Sequence, residues 1–438
     1  MGIGNGITRF FPQVTDSKFS FFSFSLFLGI AGFAVLMVFT ILFREPISSA
    51  FAEKSPAVNQ YIQVALIITF ILVIHTLLEA FSRSYLKLAI PSLIRDVLLR
   101  LLIALLVIGY FFGWYPFPQM IWGMSIAYFL AMACMVFYMN KTGIFQLQFN
   151  WSDIPLSLKK DFFRYNIITL LGTAGALLIM KIDSIMVSSM IGLDANAIYT
   201  IGFSIAVVIE MPRRAISQVA MPVISEMFAK NQLTEINALY KKIAVNQLLI
   251  CLLVFLLIWV NIENLYHFVP NRSIYEQGKW VVLLIGLGKI TDVIFSVNGE
   301  IIVFSRFYTF NITATLLMCA AIIIFNLMLI PLYGIEGAAL ASLIAMFCYN
   351  LVKYIYIKIR LGFNPFTTGV FLILLAGVLS WALSYYLIPE SAYVVLDILI
   401  RSGIVTAFYL LLIHLFKAAQ ETEAMVFRKI KDVFSQLR

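Results

Sequence analysis

Twelve apolar segments, each long enough to cross a lipid bilayer as a helix, follow one another along this sequence. A hydrocarbon core about 30 Å thick requires about 20 apolar residues per helix. Windows of that length lie near residues 20–43, 59–81, 97–113, 119–139, 166–190, 195–216, 243–261, 279–302, 308–330, 335–357, 366–388 and 393–416. We therefore expect an all-α polytopic membrane protein with about 12 transmembrane helices.

The composition argues against a soluble protein. Of 438 residues, 62% are hydrophobic and 12% are charged, whereas soluble domains carry about 25% charged residues. A soluble fold could not bury so much apolar side chain and still present a polar surface. The bilayer is therefore the solvent that this composition requires.

Basic residues are concentrated in alternate loops between the predicted spans. If the N-terminus is cytoplasmic, the periplasmic loops hold only four of the 31 lysines and arginines, namely Arg44, Lys54, Arg272 and Lys279. Because insertion retains basic loops in the cytoplasm, we expect both termini to be cytoplasmic. The net charge of +9 then reflects topology, and we expect no nucleic-acid partner.

Polar interruptions suggest how the chain is divided. We expect an N-terminal lobe of four helices at 1–139, a cytoplasmic linker at 140–165, a C-terminal lobe of six helices at 166–360, and two further helices with a cytoplasmic tail at 361–438. GLDANA at 192–197 and GIEGAA at 334–339 both precede a span on the predicted periplasmic side. They indicate either a duplicated architecture or simply two tight helical hairpins.

Ionisable side chains inside membrane spans are costly, so they mark candidate functional sites. The fifth span carries Lys181 and Asp183, whose spacing directs them to different sides of the helix. The eighth span carries Lys289 and Asp292 on one face, with Glu300 nearer its cytoplasmic end. Lys289 and Asp292 are either a structural ion pair or, with Lys181, part of a shared cationic cavity.

A second charged group lies near the cytoplasmic end of the sixth span. Glu210, Arg213 and Arg214 share one helix face there, and Pro212 should interrupt or kink the helix. The arginines either bind phosphate through their planar guanidinium groups or pair with Glu210 at the membrane interface.

Two further pairs are spaced four residues apart, so each shares a helix face. His75 and Glu79 on the second span either relay a proton or form a structural hydrogen bond. Asp397 and Arg401 on the last span are interpreted as a structural pair.

Motifs for enzymatic chemistry are absent from the sequence. It contains no phosphate-binding G-x-x-x-x-G-K-[ST] loop and no H-E-x-x-H zinc motif, and its four cysteines form no C-x-x-C pair. We therefore expect no enzyme, no metal site and no cofactor, apart from coupling to H⁺ or Na⁺.

Several stretches, in their order and spacing, resemble the Wzx-type oligosaccharide and polysaccharide flippases of the superfamily that also contains the multidrug and toxin extruders. The matching stretches are GIGNGITRFFP at 2–12, IDSIMV at 182–187, EMPRRAIS at 210–217, KITD at 289–292, VNGE at 297–300 and IPLYGIEGAALA at 330–341.

This resemblance implies two six-helix lobes around a central cavity, followed by two additional helices, as in the multidrug and toxin extrusion fold. The stretch at 2–12 resembles the segment that follows the family's second helix. The twelve spans would then be helices three to fourteen, and the first two helices would be missing.

The resemblance also implies a function. We expect a transporter in the bacterial inner membrane that flips lipid-diphosphate-linked oligosaccharide to the periplasmic leaflet by alternating access, for O-antigen and other surface polysaccharides. Its partners would be that substrate, the lipid bilayer, a polysaccharide polymerase and glycosyltransferases. The substrate-binding cations would be Lys181, Lys289, Arg213 and Arg214. The ion-coupling candidates are Asp183, Asp292, His75, Glu79, Glu210 and Glu300.

Two alternative functions fit the same spans. A multidrug/cation antiporter shares the architecture but would favour an acidic or apolar cavity. A membrane scaffold that organises a polysaccharide assembly complex would transport nothing, and its cytoplasmic loops would matter more than its buried charges.

Overall fold

The computed structural model describes residues 2–14, 17–87, 89–387 and 393–418. Within these ranges the chain is almost entirely helical and forms no β-strand. Nine of the described helices are long and apolar enough to cross a membrane, or ten if one bent pair counts as a single span. The predicted all-α polytopic membrane fold is confirmed.

The chain divides into two compact units, Met1–Leu177 and Leu178–Arg438. The first unit contains α1 (Gly2–Phe10), α2 (Lys18–Leu42), α3 (Arg44–Ala52), α4 (Pro56–Ser84), α5 (Ala89–Leu93), α6 (Leu99–Phe111), α7 (Phe117–Lys141) and most of α8 (Leu156–Met190). The second unit contains the end of α8, α9 (Leu193–Val207), α10 (Met211–Ala229), α11 (Leu233–Val260), α12 (Ile262–His267), α13 (Arg272–Tyr275), α14 (Lys279–Ile294), α15 (Asn298–Phe304), α16 (Tyr308–Leu361), α17 (Thr368–Leu387) and α18 (Val394–Phe416). The predicted lobe boundaries around 140–165 stay a prediction.

The twelve predicted spans fall largely on helical residues, although five of them are not separate straight helices. The third span combines the end of α5, a π-helical turn at Ile94–Leu98, and α6. The sixth combines α9, a 3₁₀ turn at Val208–Glu210 and the start of α10. The eighth combines α14 and α15, whose axes are bent by 47° across a short break. The ninth and tenth lie in the single element α16. Residue 388 of the eleventh span and the tail beyond Ala418 lie outside the described residues.

α16 contains 54 residues and one break, at Gly334. A straight helix of that length would measure about 80 Å, more than twice the hydrocarbon thickness. Gly334 adopts φ 61° and ψ −134°, a conformation that side chains disfavour. The two arms fold back on each other, since the rings of Phe310 and Tyr356 stack at 3.7 Å. α16 is therefore a hairpin of two spans, as the separate windows 308–330 and 335–357 predicted.

α14 is packed against α9, α11 and α16 in the second unit. Its residues Val281, Val282, Ile285 and Val293 are buried in the apolar core of that unit. Polar side chains that α14 directs towards these neighbours are therefore removed from both lipid and bulk water. They must find hydrogen-bond or charge partners within the protein.

Six phenylalanine side chains are buried in the core of the first unit among aliphatic and methionine side chains. Phe22 stacks on Phe81 at 4.1 Å, and the ring of Phe21 meets that of Phe162 edge-on at 4.9 Å. Ile144 and Ile154, from the polar interruption at 140–165, are buried in the same core. Part of the interruption is thus held in the first unit by apolar packing.

The N-terminal glycines allow α1 to approach α8 closely. A Cβ atom on Gly6 would lie 2.0 Å from Asn166 Oδ1 and 2.8 Å from the ring of Phe162. A Cβ on Gly2 would lie 2.6 Å from the carbonyl oxygen of Asn166. In contrast, a Cβ on Gly4 would make an ordinary contact, 3.5 Å from the Cβ of Ala80.

These distances predict opposite effects for two chemically identical substitutions. Gly4→Ala should raise the free energy of unfolding by up to about 1 kcal/mol, since alanine favours the helix. Gly6→Ala should lower it by about 1–2 kcal/mol, because overpacking against Asn166 and Phe162 outweighs the same helical gain. Thermal unfolding of the purified variants in detergent measures the difference. Equal midpoints for both variants would contradict the close approach of α1.

Candidate functional site

Asp183 on α8 is the buried centre of a hydrogen-bond network in the second unit. Its side chain is 4% exposed. It accepts hydrogen bonds from the hydroxyl of Tyr199 at 3.0 Å, from Asn326 Nδ2 at 2.7 Å and from the hydroxyl of Ser342. A carboxylate removed from water requires such partners. Lys181 is exposed, so the two side chains point to different sides of the helix, as their spacing predicted.

A charge cluster, defined as Glu210, Arg213, Lys289 and Asp292, lies where the α9–α10 junction meets α14. Lys289 Nζ is 2.7 Å from a carboxylate oxygen of Glu210. Arg213 binds Asp292 at 2.9 Å and lies 3.9 Å from Glu210. All four side chains are only 12–15% exposed. Each charge in the cluster therefore faces an opposite charge.

This pairing corrects one prediction from spacing. Lys289 and Asp292 lie on one face of α14, but each binds a partner from the α9–α10 junction instead of the other. The reason is local backbone geometry. The chain forms a 3₁₀ turn at Val208–Glu210, immediately before Pro212 in the first turn of α10. This break, which the proline predicted, places Glu210 and Arg213 against α14.

Arg214 and Glu300 occupy the border of the charge cluster. Arg214 is half exposed and binds Glu210 at 3.1 Å, as the structural interpretation of this pair predicted. Glu300 on α15 is half-buried and forms no ion pair within the part of the chain that the structure describes. The four side chains of the cluster are therefore largely buried, whereas Arg214 at its border is half exposed.

α16 also buries Asn350 and Lys353, two polar side chains that the sequence analysis did not select. Asn350 donates to Asp292 at 3.0 Å and accepts from Asn298 at 2.9 Å. Lys353 is 4% exposed, and its ammonium group lies 4.2 Å from the ring centre of Tyr349. Asn350 and Lys353 both come from α16. Polar residues in an apolar hairpin were the signal that could have identified them.

Asp183 and Lys289 line the same small cavity. Its volume is 50 Å³, and its wall is otherwise mostly apolar, with Ser342 adding one hydroxyl. A cavity of this size holds a few water molecules but neither a sugar nor a diphosphate. Lys181 does not line it. The expected cationic cavity shared by Lys181 and Lys289 stays a prediction, since Lys181 is exposed on the side of α8 away from Asp183.

His75 and Glu79 on α4, in the first unit, do not form the predicted pair. Glu79 is 6% exposed and binds Arg83 at 2.9 Å and Arg95 at 2.5 Å. His75 is also buried, and its Nε2 atom has no hydrogen-bond partner among the described residues. The carboxylate binds the two arginines, whose charged guanidinium groups form strong charge-assisted hydrogen bonds.

The charge cluster predicts a large stability cost when one charge is left unpaired. Lys289→Met should lower the free energy of unfolding by about 3 kcal/mol, because Glu210 would stay buried without its main partner. The double variant Glu210→Gln/Lys289→Met should recover most of that loss. Thermal unfolding in detergent gives the comparison.

Lys230 provides a matched control for this prediction. It binds Glu226 at 2.6 Å, but both side chains are more than half exposed. Lys230→Met should therefore cost less than about 1 kcal/mol. If Lys289→Met were no more damaging than Lys230→Met, the charge cluster would not be a buried electrostatic unit.

Comparisons with known proteins agree with this architecture. The family model described as polysaccharide biosynthesis protein matches residues 1–228, and a MatE model matches residues 169–303. A search of curated protein sequences found no significant match.

Solved structures share the fold at low sequence identity. The lipid II flippase MurJ in an inward closed conformation is 14% identical, with a TM-score of 0.69 over 95% of this chain and 87% of that chain. An inward-facing multidrug resistance MATE family transporter is 16% identical, with a TM-score of 0.62 over 82% of this chain and 85% of that chain. A transporter of the same superfamily from Pyrococcus furiosus is 13% identical, with a TM-score of 0.54 over 82% and 83% of the two chains.

The polysaccharide biosynthesis family model covers more than half of the 438 residues. The chain therefore belongs to the polysaccharide biosynthesis protein family.

Proposed function

We propose that this protein flips a lipid-diphosphate-linked oligosaccharide from the cytoplasmic to the periplasmic leaflet of a bacterial inner membrane by alternating access. The product would supply surface polysaccharide such as O-antigen. The match to the polysaccharide biosynthesis family supports a polysaccharide precursor as cargo. The fold shared with a lipid II flippase supports a lipid-linked sugar. The basic residues of alternate loops support cytoplasmic termini.

The observation that carries the proposal is the buried charge cluster. In the described conformation Lys289 and Arg213 are neutralised by Glu210 and Asp292. A diphosphate carries the same sign as these carboxylates and hydrogen-bonds well to ammonium and guanidinium groups. The substrate can therefore replace one carboxylate as the partner of a cation. Such an exchange gives the two conformations of a transport cycle different charge pairings.

Two cations are exposed before this exchange. Lys181 has no ion pair among the described residues, whereas Arg214 is half exposed and bound to Glu210. Lys181 would attract the diphosphate first, and Lys289 and Arg213 would bind it once the cluster opens. All four predicted substrate-binding cations thus keep a role, at different stages of transport.

A strain that lacks the gene tests this function. Loss of the gene should remove surface polysaccharide and leave lipid-linked oligosaccharide on the cytoplasmic side. The double variant Glu210→Gln/Lys289→Gln should insert and fold, because no unpaired charge remains, yet flip about tenfold to a hundredfold more slowly than the wild type. Polysaccharide and membrane-inserted protein are measured in the same cells. Full complementation by the double variant would refute the role of Lys289.

Asp183 is the best placed of the ion-coupling candidates. Its carboxylate is surrounded by hydroxyl and amide groups of Tyr199, Asn326 and Ser342 and reaches a cavity large enough for water. Oxygen atoms of these types bind Na⁺, and a buried carboxylate can also accept a proton. Glu210, Asp292 and Glu79 are already matched by arginine or lysine, which makes them less suitable for either ion.

This assignment predicts that Asp183→Asn uncouples transport from an ion gradient. In proteoliposomes, flipping by the wild type should respond to an imposed pH or Na⁺ gradient, and flipping by Asp183→Asn should not. Asp194→Asn is the matched control, because Asp194 is an exposed acid on the neighbouring helix α9. An unchanged gradient response in Asp183→Asn would show that coupling occurs elsewhere.

One observation favours a multidrug/cation antiporter as second candidate. The MatE model matches residues 169–303, which include Asp183 and the charge cluster. An antiporter would export organic cations at the expense of an ion gradient. Increased drug sensitivity of the deletion strain, with normal surface polysaccharide, would favour this function over the flippase.

A further inference from the structure

A large cavity of the second unit lies at the ends of its membrane helices, apart from the charge cluster. This aromatic pocket, defined by Trp259, Trp280, Trp381, Tyr385, Asn264 and Asp397, has a volume of 610 Å³. Its walls come from the end of α11, the segment α12–α14, the end of α17 and the start of α18. This volume is typical of pockets for small organic ligands.

One wall of the aromatic pocket presents flat ring faces. The rings of Trp259 and Trp280 lie 5.9 Å apart, and those of Trp381 and Tyr385 lie 6.0 Å apart with planes tilted by 26°. Trp280 and Trp381 are 46% and 41% exposed. These rings therefore offer an apolar, planar surface to a ligand instead of filling the core.

The floor of the pocket is polar and already ordered. Asp397 is 4% exposed, binds Arg401 at 2.8 Å and accepts a hydrogen bond from Asn264 at 2.6 Å. The predicted Asp397–Arg401 pair is thus confirmed. This polar part of the lining combines acceptors on the carboxylate with donors on the guanidinium and amide groups, both of which contact the carboxylate.

The cations around the pocket are matched by acids. Lys279 lies 3.7 Å from Glu263, and Arg272 lies 2.9 Å from Glu276. With Arg401 bound to Asp397, the described lining has no unmatched cation for a phosphate group. An uncharged ligand with many hydroxyl groups suits such a surface better, because it can both donate to the acids and accept from the bases without displacing either.

We propose that the aromatic pocket binds an uncharged pyranose sugar. The C–H faces of a pyranose ring pack on indole rings, and its hydroxyl groups hydrogen-bond to side chains such as Asp397, Asn264 and Arg401. The charge distribution of the loops predicts that this end of the helices is periplasmic. Resting on the proposed function, we assign the sugar to the oligosaccharide of the substrate after it has crossed the membrane.

Ligand-observed saturation-transfer NMR on the full chain tests the proposal. The protein is purified in an amine oxide detergent, because glycosidic detergents would compete for the pocket. The probes are lactose, N,N′-diacetylchitobiose and maltotriose, with glycerol phosphate as the probe for a lipid headgroup. At least one sugar should bind with an affinity in the millimolar range. Trp280→Ala and Trp381→Ala should each weaken that binding by about fivefold.

Trp122→Ala is the matched control. Trp122 is 47% exposed and belongs to α7 in the first unit, so its loss should leave sugar binding unchanged. The proposal is overturned if none of the sugars binds, or if the Trp280 and Trp381 variants bind as the wild type does. It is also overturned if glycerol phosphate binds in the pocket and the sugars do not, which would identify a lipid headgroup site within the interfacial belt of tryptophans.

Flipping of the lipid-linked substrate is measured separately from this binding. Sugar binding without flipping would support the sugar-binding proposal and refute the proposed function. Flipping by the wild type without any sugar binding would support the function and refute the sugar-binding proposal. The two proposals therefore fail independently.

Discussion

The second unit depends on the neutralisation of buried charge inside a membrane protein. Lys289 and Arg213 are largely buried. The free-energy cost of burying their charges would be prohibitive without the opposite charges of Glu210 and Asp292. Because the acids and bases come from different elements, their pairing fixes the α9–α10 junction against α14, and Asn350 extends the same network to α16. Apolar packing alone would allow these helices to slide, whereas matched charges permit only a few registers.

The sequence predicted the secondary structure well because the bilayer sets the length of each span. Within the described residues the apolar windows fall largely on helices, and the breaks at Pro212 and Gly334 were marked by the residues that cause them. The charged partners were harder to predict. Spacing along one helix suggested Lys289 with Asp292 and His75 with Glu79, but each carboxylate instead binds an arginine or lysine supplied by another turn or element. Such contacts depend on tertiary packing, which helical periodicity does not contain.

The candidate site was therefore predicted in composition but not in geometry. Asp183 is buried and Lys181 exposed, as their spacing required, yet the partners of Asp183 come from α9 and both arms of α16. The charge cluster and the aromatic pocket also differ in chemistry. The cluster can exchange a carboxylate for another anion, whereas the pocket offers ring faces and matched charges to a neutral ligand. The lipid-diphosphate-linked sugar of the proposed function contains both an anionic group and a neutral sugar.

The most direct measurement is flipping by the purified protein in vesicles. A lipid-diphosphate-linked oligosaccharide is placed in both leaflets, and an enzyme that cannot cross the membrane modifies the sugar from outside. We expect the protein to make nearly all of the substrate accessible to the external enzyme within minutes. In vesicles without protein, only the substrate of the outer leaflet should be modified. If vesicles with correctly folded protein expose no more substrate than empty vesicles, under both H⁺ and Na⁺ gradients, the protein is not a flippase for this class of lipid.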